Sequence, residues 1–118
     1  MLQLHSLGPE DLDVLRSDGM PVIRAVRPDR AEASIYAGHS DMLLFEEAVP
    51  GTGSSYDYST VPVDSCERCI IAGGLNARNI DEALKMKPYA LDVSSGVESI
   101  PGRKDPRLVS EFIRRCKS

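Results

Sequence analysis

The chain has 118 residues, 42% of them hydrophobic, 27% charged and 5% aromatic, a composition that predicts a soluble globular domain and excludes disordered and collagen-like classes. No run approaches the roughly 18 apolar residues that cross a bilayer, and the start, MLQLHSLGPED, lacks the basic and apolar regions of a signal peptide, so a cytoplasmic protein with no membrane association is expected. Fourteen basic against 18 acidic residues leave a net charge of −4, which argues against a general nucleic-acid binder.

In chain order, short apolar runs recur at Leu2–His5, Pro21–Ala25, Asp41–Phe45, Cys69–Ala72 and Ala90–Val93. They are too short for buried helices and most do not alternate strictly, which fits strands covered on both faces in a parallel sheet. Between them lie helix patterns. Pro9–Ser17 opens with Pro9, Glu10 and Asp11 and stops at Gly19, and Asp29–Tyr36 is a shorter candidate. Asn79 stands as an N-cap ahead of Asp81 and Glu82. In the last helix Asp105 is the cap and Pro106 the first residue, and Leu108, Val109, Phe112, Ile113 and Cys116 form one apolar stripe. Its basic end complements a helix C-terminus.

Strands alternating with helices at about 20 residues per unit predict an α/β fold. The reading is one domain over residues 1–118 with about five parallel βα units, part of a (β/α)8 TIM barrel, since a closed barrel takes roughly 200 residues or more. The chain starts inside a strand, and a partial barrel presents two open sheet edges, for which a partner surface is expected.

Three glycine-containing turns follow directly on strands: PGTGSSYDY, AGGLNARNI and DVSSGVESIPGRKD. Glycines at strand ends let backbone N–H groups approach an anion, and the last two strand–helix loops of α/β barrels commonly hold a phosphate. The plain alternative is that the glycines only serve turns and the serines only cap helices. Cys66 and Cys69 form a CERC motif, but no second such pair follows, and the odd count of three cysteines predicts reduced thiols; Cys69 and Cys116 read as packing residues, and no metal site is expected.

The stretches LQLH, PVIRAVR, DMLLFEE, GTGSSYDY, IIAGGLNARNI and ALDVSSGVESIPGRKD resemble the phosphoribosylanthranilate isomerase family, in its order from the fourth barrel strand to the last helix. The run DVSSGVES-x-PG-x-KD together with AGGLN carries most of that resemblance. It implies an enzyme of tryptophan biosynthesis that performs an Amadori rearrangement of a phosphorylated sugar–anthranilate substrate, from aminoaldose to aminoketose, without metal or organic cofactor. A general acid opens the ribose ring to a Schiff base, and a general base removes the proton from C2.

By the same resemblance Glu46 stands at the position of the general acid, an aspartate in the family, and its extra methylene moves the carboxyl by about an ångström, a scale of misplacement that can cost around 100-fold. Gly73, Gly74, Ser94, Ser95 and Gly96 match the phosphate site, Asp92 a substrate-facing aspartate, and Gln3 and His5 inward-facing positions on the fourth barrel strand. Gly51, Thr52 and Gly53 match a loop over the site, with Pro50 where the family has a further glycine. The family's basic cysteine and its anthranilate-binding arginine belong to the first three βα units, which would come from an N-terminal half-barrel. The alternative is a non-catalytic half-barrel that binds a phosphorylated ligand or acts as a scaffold, self-associating through its open edges.

Overall fold

Five apolar segments become strands because each is flanked by a helix on one side of the chain and needs neighbours on both edges to satisfy its backbone. The computed structural model describes residues 2–46 and 56–117. Glu47 and the loop with Pro50, Gly51, Thr52 and Gly53 lie outside the described residues. The strands are β1 (Leu2–Leu4), β2 (Val22–Val26), β3 (Met42–Phe45), β4 (Cys69–Ile71) and β5 (Ala90–Leu91), paired in sequence order and all parallel. The helices are α1 (Pro9–Ser17), α2 (Arg30–Tyr36), α3 (Ile80–Leu84) and α4 (Pro106–Lys117). This is the alternation that the sequence predicts. A short antiparallel hairpin, β6 (Glu98–Ile100) with β7 (Arg103–Lys104), precedes α4 and is not foreseen from the sequence.

Helix ends follow their local chemistry. Asp29 accepts from the Ala31 N–H at 2.9 Å and Asp105 from the Arg107 N–H at 2.9 Å, so two acidic caps hold α2 and α4. Gly19, with φ of +83°, ends α1 in the left-handed region. Asn79 is not the side-chain cap of α3 that the sequence suggests. Its backbone is already helical, and Asn76 instead accepts from the N–H groups of Arg78 and Asn79.

Register puts the side chains of the sheet into two sets. One face carries Val26, Leu43, Phe45, Cys69 and Ile71, which pack with Ala33, Ile80, Ala83 and Phe112 of the helices in the main core. The other face carries Ala25, Leu44, Ile70 and Ala72 with Ile23, Met42 and Ala90, all contributed by the strands and their ends. Leu44 is only 1% exposed there, so neighbouring strands suffice to bury the centre of this second face.

The cysteines need one correction. Cys66 and Cys69 are joined as a disulfide, where reduced thiols are expected. The turn entering β4 folds back on itself and brings their Cα atoms to 6.2 Å, within bridging distance. Cys69 and Cys116 also pack against the main core, as the sequence suggests, and burial pushes the Cys116 thiol up.

Candidate functional site

Because the five strands are parallel, the residues that follow them gather at one edge of the sheet. His5 leaves β1, Arg27 leaves β2, Glu46 leaves β3, Gly73 and Gly74 follow β4, and the segment from Asp92 to Gly96 follows β5. Sites in parallel α/β folds are built at this end, where loops of several strands converge.

The turn after β4 is built around two glycines in the left-handed region, Gly73 at φ +91° and Gly74 at φ +70°. Tyr58 donates its hydroxyl to the Gly73 carbonyl at 2.7 Å, and Asn79 donates its side-chain amide to the Gly74 carbonyl at 2.8 Å. In a planar trans peptide the C=O and the following N–H point in opposite directions. Holding these two carbonyls therefore turns the N–H groups of Gly74 and Leu75 away from Tyr58 and Asn79, the pattern of an anion-binding turn. Burial, and secondarily the charge of Glu82, pushes the Tyr58 hydroxyl up to about 12. Tyr58 thus stays a hydrogen-bond donor throughout the physiological range.

The loop after β5 leans directly on this turn. A Cβ on Gly96 would fall 1.8 Å from the Leu75 carbonyl oxygen, so only glycine permits the approach. Ser95 lies with Gly96 in a single 3-10 turn, Ser95–Val97. Lys104, from β7, reaches back to the Ser94 carbonyl at 3.0 Å and its hydroxyl at 3.3 Å, and bonds Glu98 at 2.8 Å. That ammonium holds the Glu98 carboxyl below the usual range. Asp92 stands beside the same group. Its carboxyl is raised, because loss of solvation at the strand end outweighs the attraction of Lys104.

Glu46 borders the same turn. A Cβ on Gly73 would lie 3.6 Å from the Glu46 Cβ and 3.1 Å from the Tyr56 ring. Across the end of β2, Nδ1 of His5 lies 3.0 Å from Oε1 of Glu46. Both line a cavity of about 260 Å³ with Arg24, Ala25, Val26, Arg27 and Glu32. Gln3 is exposed on the strand-lined face of the sheet, in register with Ile23. Among the described residues, no group of three or more His, Cys, Asp and Glu side chains is placed to hold a metal ion.

The residues singled out in the sequence thus divide by position. Glu46 stands against Gly73, and Gly96 is packed on the turn that Gly73 and Gly74 begin, while His5 reaches Glu46. Asp92 and Ser94 stand at the end of β5, and Gln3 lies lower on β1. Four residues that shape this edge carry no signal in the sequence: Tyr58 and Asn79, which set the glycine carbonyls, Lys104, and Arg24. Two larger cavities, of about 520 and 510 Å³, lie at the opposite end of the strands around Arg16, Asp41 and Arg68. Neither contains the paired glycine turns.

Residues 1–115 match the family described as N-(5'phosphoribosyl)anthranilate (PRA) isomerase. The chain is 42% identical over 127 residues to N-(5'-phosphoribosyl)anthranilate isomerase of Stutzerimonas stutzeri (strain A1501), covering 100% of this chain and 60% of that protein. The corresponding protein of Myxococcus xanthus (strain DK1622) is 40% identical over 99% of this chain and 60% of its own length. Among solved structures, phosphoribosyl anthranilate isomerase of Thermus thermophilus superposes with a TM-score of 0.83 at 32% identity, over 98% of this chain and 59% of that one. Another structure of the family, in complex with reduced 1-(o-carboxyphenylamino)-1-deoxyribulose 5-phosphate, superposes with a TM-score of 0.78 at 30% identity, over 98% of this chain and 58% of that one. The fold is accordingly α/β, a partial TIM barrel with a five-stranded parallel sheet. The chain spans about 60% of the length of the curated relatives that it matches.

Proposed function

The chain belongs to the N-(5'-phosphoribosyl)anthranilate isomerase family, and we propose that it forms the fourth to eighth βα units of such an enzyme's barrel, as one domain, and carries its phosphate site and general acid. The observation that carries this reading is the convergence of Glu46 with the paired glycine turn, itself locked to Gly96. In the proposed reaction the N–H groups of the two turns hold the substrate phosphate, which fixes the ribose beside Glu46. Protonation from that side opens the ring to a Schiff base, and removal of the C2 proton yields the enolamine that becomes the aminoketose. These are proton transfers, and the reading invokes neither a metal nor an organic cofactor. Gln3, His5 and Asp92 contact the sugar and its substituent, while Ser94 and Ser95 border the phosphate.

The general base and the anthranilate-binding arginine come, on this reading, from three further βα units that pair with the outer sheet strands. The relative solved with a reduced aminoketose phosphate supports the ligand class, since that molecule unites an anthranilate group with a phosphorylated sugar. A cytoplasmic setting goes with this proposal; among the described residues no helix is long and apolar enough to cross a membrane.

The test is turnover of phosphoribosylanthranilate, followed by loss of its fluorescence, with the chain mixed with the first three βα units of the Stutzerimonas stutzeri relative. Turnover by the mixture is expected, and Glu46→Gln is expected to lower it at least about 100-fold. A phosphate ligand bound without any turnover by the mixture would contradict the reading and favour a non-catalytic half-barrel.

A further inference from the structure

Glu46 does not face the cavity as a lone carboxylate. Its side chain is 18% exposed and touches Nδ1 of His5 at 3.0 Å, whereas the His5 side chain is 50% exposed. The more accessible member of the pair is therefore the imidazole. A carboxylate on Nδ1 fixes the ring orientation and places the hydrogen on that nitrogen. The other nitrogen, Nε2, then remains to accept or deliver a proton.

The turn that carries His5 is itself anchored. Arg24, on β2, is only 6% exposed, and donates from Nε to the Leu7 carbonyl at 2.9 Å and from Nη1 to the His5 carbonyl at 3.0 Å. Its guanidinium lies 4.2 Å from the centre of the Tyr36 ring. Burying a guanidinium is costly unless its donors are used and its charge is faced. Here the donors go to the two carbonyls of the His5 turn and the charge faces an aromatic ring. The remaining charged groups of the cavity, Arg27 and Glu32, are bonded to each other at 2.9 Å.

We propose that His5 is the proton-carrying group of this site, that Glu46 orients it and balances its charge, and that Arg24 is a positioning residue for His5. The proposal rests on the family reading above and reassigns who delivers the proton. Protonated His5 gives its Nε2 proton to the ribose ring oxygen as the bond from C1 to that oxygen breaks and the amine lone pair forms the C=N bond. The imidazole is left neutral, with its Nδ1 hydrogen still on Glu46. The base supplied by the other units then takes one proton from C2, so the proton count of the cycle closes when His5 regains a proton from water.

Two measurements test this. The chain has two histidines, and long-range proton–nitrogen spectra of the 118-residue chain, taken where imidazoles are neutral, read which nitrogen of each carries hydrogen. His5 is expected in the Nδ1–H form and to lose it in Glu46→Ala. His39, whose Nδ1 lies 2.8 Å from Asp13, is expected to stay unchanged and so to report an intact fold. A His5 in the Nε2–H form, or one indifferent to Glu46→Ala, overturns the proposal and leaves the family reading standing. In the mixture with the N-terminal units, His5→Asn is expected to lower kcat about 100-fold with KM little changed, and to flatten one limb of the pH–rate profile. A raised KM with kcat retained would make His5 a binding residue only and overturn the proposal. Absence of turnover with the unaltered chain counts instead against the family reading, and the imidazole spectra still decide the pair.

Discussion

Tyr58 is 1% exposed, and its one polar atom is spent on the Gly73 carbonyl. Tyr58→Phe leaves that carbonyl without its donor and is expected to cost about 1–2 kcal/mol in urea unfolding. The same side chain sets an alkaline limit. Its hydroxyl titrates near the usual 10 in the unfolded chain and at about 12 when folded. The folded state therefore holds this proton more tightly, and the associated stability is present below pH 10 and lost as pH rises towards 12. Unfolding midpoints measured across that window should fall more steeply in the wild-type chain than in Tyr58→Phe; equal slopes would contradict the assignment. Gly96 acts by shape alone. With the Leu75 carbonyl 1.8 Å from where a Cβ would sit, Gly96→Ala must push the two loops apart. The expected cost is about 1–3 kcal/mol, accompanied by loss of phosphate binding in a calorimetric titration. A stable Gly96→Ala chain that binds phosphate as well as the wild type would show that the loop contact is dispensable.

At the scale of elements, much of the fold is legible in the sequence. VIRAV, MLLF and CII form strands because they are short, apolar and followed by turn residues, and the helices between them begin and end at Pro9, Gly19, Asp29 and Asp105 as their chemistry requires. The glycine turns are legible too, since two such turns after consecutive strands have few other uses. Interactions between segments distant in sequence are not. Tyr58 lies 15 residues from the carbonyl that it holds, and Arg24 lies 19 residues from His5. No local pattern marks either. The hairpin of β6 and β7 is hidden because ESIPGRK alternates poorly and reads as one long turn; only the left-handed Gly102, at φ +83°, closes it. Asn79 resembles a cap because its spacing to the acidic first turn fits, while its side chain is drawn to Gly74. At the site, the sequence points to His5 and Glu46 separately, and it is their placement on strands two apart in the sheet that makes them a pair.

For the whole molecule, the sheet order leaves β1 and β5 outermost, and the strand-lined face carries an apolar cluster of its own. Exposed strand edges tend to recruit another chain. The isolated chain is expected to show a sedimentation mass that rises with concentration, and addition of three N-terminal βα units should replace that self-association with a one-to-one complex. A strictly monomeric chain that ignores those units would contradict the partner proposed above. Both ends of the strands hold cavities, and the larger ones lie away from the glycine turns. Chemistry, rather than volume, is what favours the C-terminal end. The most direct test follows amide signals of the 118-residue chain while reduced 1-(o-carboxyphenylamino)-1-deoxyribulose 5-phosphate is added, with inorganic phosphate as the simpler probe. Saturable shifts at Gly73, Gly74, Leu75 and Gly96 are predicted for both. Shifts confined to the surroundings of Arg16, Asp41 and Arg68, or no shifts at all, would contradict a phosphate site at the ends of β4 and β5.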